Sequence, residues 1–210
     1  MAKNISDKVN KAYKWIDNVS IHPLISKFNK FVGLQKSQFY FRKKKYSKEK
    51  ICFTNFLSSS KNILIILPVN YDLAIASLKF ILEMEDKFAQ KNITIIDSKG
   101  TSIGSKDSLY QQTIHYTQND VSKYGIPKEV FLRKIKKRTY DIAIDLNLFF
   151  DLTSSFICRE SDAKIRIGIK HKYSDLFFNF QIGVQNFSFP QNEKIISKTY
   201  DIFTNSLKMF

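Results

Sequence analysis

The sequence predicts an α/β fold, a Rossmann-like parallel sheet with a basic, helical extension at its amino terminus. Three observations carry this. Short apolar runs rich in β-branched residues recur at 62–68, 92–96 and 140–146, the pattern of strands covered on both faces. Segments with a helical period separate them, so the connections are crossovers and the strands lie parallel. The charge is also uneven. Lys and Arg number 34 against 19 Asp and Glu, a net charge of +15, and residues 1–60 hold thirteen basic residues against only Asp7, Asp17 and Glu49. A chain of 210 residues that is 43% hydrophobic and 25% charged is neither disordered nor fibrous. It divides into a basic, helical extension over 1–60 and an α/β domain over 61–210.

Within the extension, Ile5, Val9, Ala12 and Ile16 recur at helical spacing, with Tyr13 and Trp15 beside them, and predict an amphipathic helix. After Pro23, the set Leu24, Ile25, Phe28, Phe31 and Val32 predicts a second short helix ending near Gly33. Residues 38–50 then interleave Phe39, Tyr40, Phe41 and Tyr46 with Arg42, Lys43, Lys44, Lys45, Lys48 and Lys50. Rings beside cations suit an anionic phospholipid surface, where aromatic side chains sit at headgroup level. They equally suit single-stranded nucleic acid, where bases stack on rings and lysines meet phosphates. A third reading packs both helices on the main domain and leaves the lysines as a solvated connector.

The α/β domain opens with the strand at 62–68 and a turn at 69–72. A helix over 73–88 follows, with Ala74, Leu78, Ile81 and Leu82 on its buried stripe. The strand at 92–96 completes a βαβ unit. A short strand at 113–116 precedes a helix over 127–137 that buries Val130, Phe131 and Ile135. The strand at 140–146, a helix over 149–159 and the strand at 164–168 form the next unit. A strand within 177–184 and a helix over 192–209, carrying Ile195, Ile196, Tyr200, Ile202, Phe203 and Leu207, close the chain.

Ligands of such sheets bind beyond the carboxyl ends of the strands. The residues placed there are Asn70, Tyr71 and Asp72, then Asp97 and Lys99, then Asp145 and Asn147, and finally Lys170, His171 and Lys172. Asp72 stands at a helix start and has a competing role as its N-cap. No GxGxxG follows the first strand, no GxSxG elbow is present, and Gly100 and Gly104 lack the spacing of a phosphate loop. Cys52, Cys158 and the three histidines show no metal-ligand spacing, so neither a metal nor a cofactor is expected. The longest apolar runs fall far short of the roughly 20 residues of a membrane span. With no leader pattern at the amino terminus, a cytoplasmic location is expected.

Three segments resemble the amino-terminal half of glycosyltransferase family 9, the ADP-heptose:lipopolysaccharide heptosyltransferases. Residues 62–78 are similar to the family's opening strand, Pro-containing turn, acidic residue and first helix. The run Tyr140-Asp-Ile-Ala-Ile-Asp-Leu-Asn resembles its YDxxIDL strand, and Ala163-Lys-Ile-Arg-Ile-Gly its AKxRIG strand. The resemblance covers about 62–170 and implies one half of a GT-B architecture, the half that faces the acceptor sugar. It implies Asp72 as catalytic base, and the strand-end residues Asn70, Asp145, Asn147, Lys170 and Lys172 are then the expected acceptor-side set. It further implies a lipopolysaccharide-core acceptor and a donor-binding half supplied by a partner protein; taken with the basic aromatic extension, it gives the expectation of a peripheral position at the inner membrane. The alternative, from charge alone, is a non-catalytic nucleic-acid-binding or scaffold module working through the extension.

Overall fold

The computed structural model describes residues 22–43, 55–98, 112–184 and 193–209. The helix expected over 5–16, the cations Lys44, Lys45, Lys48 and Lys50, and the loop holding Lys99, Gly100 and Gly104 lie outside these residues.

Helix α1 spans His22–Lys43 and is followed by the short α2, Phe56–Ser59. Six strands follow: β1 Asn62–Ile66, β2 Asn92–Ser98, β3 Gln112–Tyr116, β4 Ile142–Asp145, β5 Ile165–Ile169 and β6 Phe180–Ile182. Helix α3, Tyr71–Glu83, and the single turn α4, Glu85–Phe88, connect β1 to β2. Helix α5, Glu129–Lys136, leads into β4, α6, Leu152–Glu160, connects β4 to β5, and α7, Glu193–Lys208, comes last. All pairings are parallel and the order is β3-β2-β1-β4-β5-β6. This is the doubly wound arrangement of the Rossmann fold.

The apolar run that predicts β1 is explained by its central place. Ile63, Leu64, Ile65 and Ile66 are all fully buried, and alternate residues enter different layers. Ile63 and Ile65 join Phe80, Ile81, Tyr200 and Phe203 from α3 and α7. Leu64 and Ile66 join Phe131, Leu132, Phe156 and Ile157 from α5 and α6. The right-handed crossover rule accounts for the division: the chain steps one way along the sheet from β1 to β3, then jumps back to β4 and steps the other way, which moves the helices to the opposite face.

Several boundaries differ from expectation. Helix α1 does not end at Gly33 but runs on to Lys43. Gly33 is instead a contact point: a Cβ there would lie 2.0 Å from the Tyr124 carbonyl oxygen and 2.8 Å from Leu152 Cδ2. The helix therefore presses its backbone against the domain, and Leu34, Ser37 and Phe41 are buried with it. The Phe41 ring lies 4.9 Å from Phe156 and 5.8 Å from Phe177. The expected 73–88 helix is broken at the buried Met84, and its inward face is Ala74, Ser77, Phe80 and Ile81, leaving Leu82 exposed. In α5 the buried set is Phe131, Leu132 and Ile135, while Val130 faces solvent. Both stripes are turned by about one residue, because the facing strands rather than the helix's own period select the buried side.

Candidate functional site

The chain leaves β1 toward one face of the sheet, through α3, and leaves the adjacent β4 toward the other, through α6. The loops after these strands diverge, which makes this carboxyl edge the switch point where such sheets form their ligand crevice. Its floor is continuous: the Leu67 N–H donates to the Ile96 carbonyl at 3.0 Å and the Leu146 N–H to the Ile66 carbonyl at 3.0 Å.

On the β1 side, Asn70 is extended (φ −74°, ψ 129°) and its side chain accepts from the Leu73 N–H at 3.0 Å, which makes it the N-cap of α3. The capping role weighed for Asp72 thus falls to Asn70. Asp72 lies in the first helical turn, exposed, with no side-chain hydrogen bond or ion pair among the described residues. A carboxylate at a helix amino terminus is favoured by the unpaired N–H groups and dipole there.

On the β4 side, Asp145 is only 2% exposed. One oxygen accepts from the Asn147 backbone N–H at 3.0 Å and from its side-chain amide at 2.8 Å; the other accepts from Ser154 Oγ at 2.8 Å. Asp145 therefore does not present its own oxygens to the crevice. It holds Asn147, half-buried, at the crevice wall and ties β4 to the start of α6. Burial pushes its carboxyl up to about 7 against the opposing pull of these hydrogen bonds. The protonated form has a place here, because Ser154 Oγ also lies 3.2 Å from the Asp151 carbonyl and can donate there while accepting from Asp145. Asp151 itself caps α6, accepting from the Ser154 N–H at 2.8 Å.

Lys170 and Lys172 are exposed one strand further along, after β5. The Lys170 backbone N–H donates to the Ile182 carbonyl at 2.9 Å, and the Lys172 ammonium lies 5.3 Å from the Tyr173 ring centroid. Between them His171 is half-buried, and its backbone N–H donates to Ser174 Oγ at 2.7 Å. Burial lowers its pKa, so the imidazole is neutral near pH 7.

Two contributors were not visible as site residues in the sequence. Tyr200, expected only as an apolar position of α7, directs its hydroxyl to the Leu146 carbonyl at 2.9 Å, with the Leu73 carbonyl at 3.2 Å. It thereby pins α7 across the base of both loops. Tyr116, at the end of β3, buries a phenol whose pKa is raised by burial and by the charges of Asp151, Asp145 and Asp97. Asp97, fully buried at the end of β2, stands 3.5 Å from His115 Nδ1.

Two open grooves lie elsewhere. One of about 550 Å³ runs beside the edge strand β3 and is lined by Lys134, Lys137 and Arg138. The other, about 440 Å³, is at the amino ends of β1 and β2 and shares Lys137 and Arg138. Neither groove is lined by the loops after β1 and β4; the first also holds His115, whose imidazole stands beside the Asp97 carboxylate. Among the described residues no group of three His, Cys, Asp or Glu is placed to hold a metal ion, and no helix is long and apolar enough to cross a membrane.

A six-stranded parallel sheet with its switch point between β1 and β4 defines a Rossmann-like α/β protein. Glycosyltransferases are among the solved structures it resembles. The glycosyl transferase family 9 protein from Veillonella parvula DSM 2008 matches with a TM-score of 0.53 at 16% identity, over 68% of this chain and 40% of that one. The E. coli heptosyltransferase WaaC with ADP matches with a TM-score of 0.53 at 14% identity, over 70% and 46%. WaaC with ADP-2-deoxy-2-fluoro heptose gives 0.54 at 14% identity, over 70% and 48%. This chain thus spans less than half the length of the proteins it matches, and at such identity the likeness is one of fold. No protein-family model and no curated protein sequence matches it.

Proposed function

We propose that this chain is a glycosyltransferase family 9-like domain corresponding to the acceptor-side half of a heptosyltransferase, working in lipopolysaccharide or surface-glycan assembly with a donor-binding half supplied from elsewhere. The observation that carries the reading is Asp72. It stands exposed after β1, without a side-chain partner among the described residues, at the switch point of a fold shared with heptosyltransferases over about two thirds of the chain.

A carboxylate so placed can act as general base. It takes the proton of an acceptor hydroxyl as that oxygen bonds to the anomeric carbon of the donor sugar. The bond from that carbon to the nucleotide diphosphate breaks, and the diphosphate leaves with the electron pair. Asn70 keeps its amide N–H groups for the acceptor while its oxygen caps α3. Asn147, fixed by Asp145, offers a second polar contact, and Lys170 and Lys172 meet anionic groups of the acceptor. The setting of the reading is an anionic membrane surface, met by Arg42, Lys43 and the neighbouring cations.

Thermal-shift titration with lipopolysaccharide-core fragments tests it. A ligand at 100 times its dissociation constant adds about 2.7 kcal/mol of stability. Stabilisation by a core fragment, lost in Lys170→Ala with Lys172→Ala, is the expected result. No shift with any fragment would remove the acceptor role.

A further inference from the structure

The low helical amphipathicity of α1 has a specific cause: it carries apolar residues on two opposite faces. Gly33, Leu34, Ser37 and Phe41 form the face packed on the domain. Leu24, Phe28, Phe31 and Phe39, spaced at i, i+4, i+7 and i+15, form a second stripe on the far side at helical period. Phe28 and Phe31 are 64% and 57% exposed, so this stripe is not part of the core. Lys27, Arg42 and Lys43 flank it, while Lys30 falls on the side of Ser37 and the Lys36 ammonium lies 3.9 Å from the Tyr124 ring centroid; α1 contains no acidic residue. The Lys43 ammonium lies 4.1 Å from the Phe39 ring centroid.

We propose that the outward face of α1 docks the protein on an anionic lipid surface, with Leu24, Phe28, Phe31 and Phe39 entering the headgroup layer and the flanking lysines meeting lipid phosphates. Exposed aromatics bordered by cations, on a helix too polar to span, are the composition of an interfacial helix. The choice of lipid over other occupants rests on charge: three cations and no acid border the stripe, on a helix with five cations and within an amino-terminal region of net +10, and an acidic leaflet is their complement. The inner face of the helix makes this workable. Because Gly33 and Phe41 clamp α1 to the α/β domain, docking the stripe sets the orientation of the whole domain. The proposal rests on the surface setting given above and adds the face responsible.

The test is co-sedimentation of the full chain with vesicles of phosphatidylethanolamine and phosphatidylglycerol, against vesicles of phosphatidylcholine. Phe28→Ser with Phe31→Ser alters exposed positions only, and unchanged circular dichroism and melting confirm the fold. The expected result is binding to the anionic vesicles, reduced about tenfold or more in the double Phe variant by lost apolar burial. Lys27→Gln with Lys43→Gln should lower it by roughly fivefold per charge. Equal binding of wild type and the double Phe variant would overturn the α1 face while keeping the surface setting. Absence of wild-type binding would overturn both, whatever the core-fragment titration shows. Capture by single-stranded RNA that is lost in the same Phe variant, without vesicle binding, would assign the face to nucleic acid and overturn the lipid proposal.

Discussion

Asp145 shows how one residue's surroundings alter its chemistry. Unfolded, its carboxyl ionises near pH 3.9; folded, burial pushes it up to about 7. Between these values the native state keeps a proton that the unfolded chain has released, so the group's stabilising contribution is full below about pH 4 and is lost as pH rises through about 7. Urea unfolding should accordingly show stability falling from about pH 5 to about pH 8 by up to a few kcal/mol. Asp145→Asn, which mimics the protonated form, should flatten that dependence; an unchanged slope would assign it to another group. Asp72 has the opposite character, exposed and without a side-chain partner among the described residues. Asp72→Asn should leave the melting temperature nearly unchanged while abolishing sugar transfer in a reconstituted assay with the donor-binding half, and retained turnover would remove Asp72 from the chemistry. Tyr200→Phe deletes the hydroxyl that reaches the Leu146 carbonyl. It should cost about 1–2 kcal/mol in urea unfolding, because that buried oxygen loses a donor.

Among the elements, α1 departs most from its local sequence signals. Pro23 and Gly33 predict a short helix, and glycine in a helix interior is unfavourable by about 0.5–1 kcal/mol relative to alanine. Here the missing Cβ is what lets the backbone approach Tyr124 and Leu152. Gly33→Ala, usually stabilising in a helix, should therefore destabilise by about 1–3 kcal/mol through overpacking. Phe41→Ala should cost about 3–5 kcal/mol, since it empties a site between Phe156 and Phe177. Both are measured by chemical unfolding of the full chain. A small effect at Phe41 would mean that α1 does not contribute to the cooperative fold. The buried Glu160, paired with Lys136 and accepting from the Tyr40 hydroxyl at 3.3 Å, adds a polar tie between α1, α5 and α6.

For the whole molecule, the strand order places the loops after β1 and β4 side by side, although Asn70 and Asn147 are far apart in the chain. The sheet and most of its helices were legible in the sequence, because a strand buried on both faces must be apolar at nearly every position. That requirement is local, and β1, β2 and β4 meet it. The segment that predicts β6 contains only the three-residue strand Phe180–Ile182, preceded by a turn, since an edge strand has fewer neighbours to select its pattern. The site was legible as a list of loop-end residues but not in its internal roles. Cap assignment between Asn70 and Asp72 depends on backbone angles at one turn. The inward rotation of Asp145 depends on Ser154, which only α6 brings to it. The sequence by itself determined the α/β class, the parallel connections and the charge division, all set by periodicity and composition over short windows. Only the tertiary structure decided which helix faces are buried, how far α1 runs, and which carboxylate remains free, because each follows from contacts between residues that the chain separates and the sheet brings together.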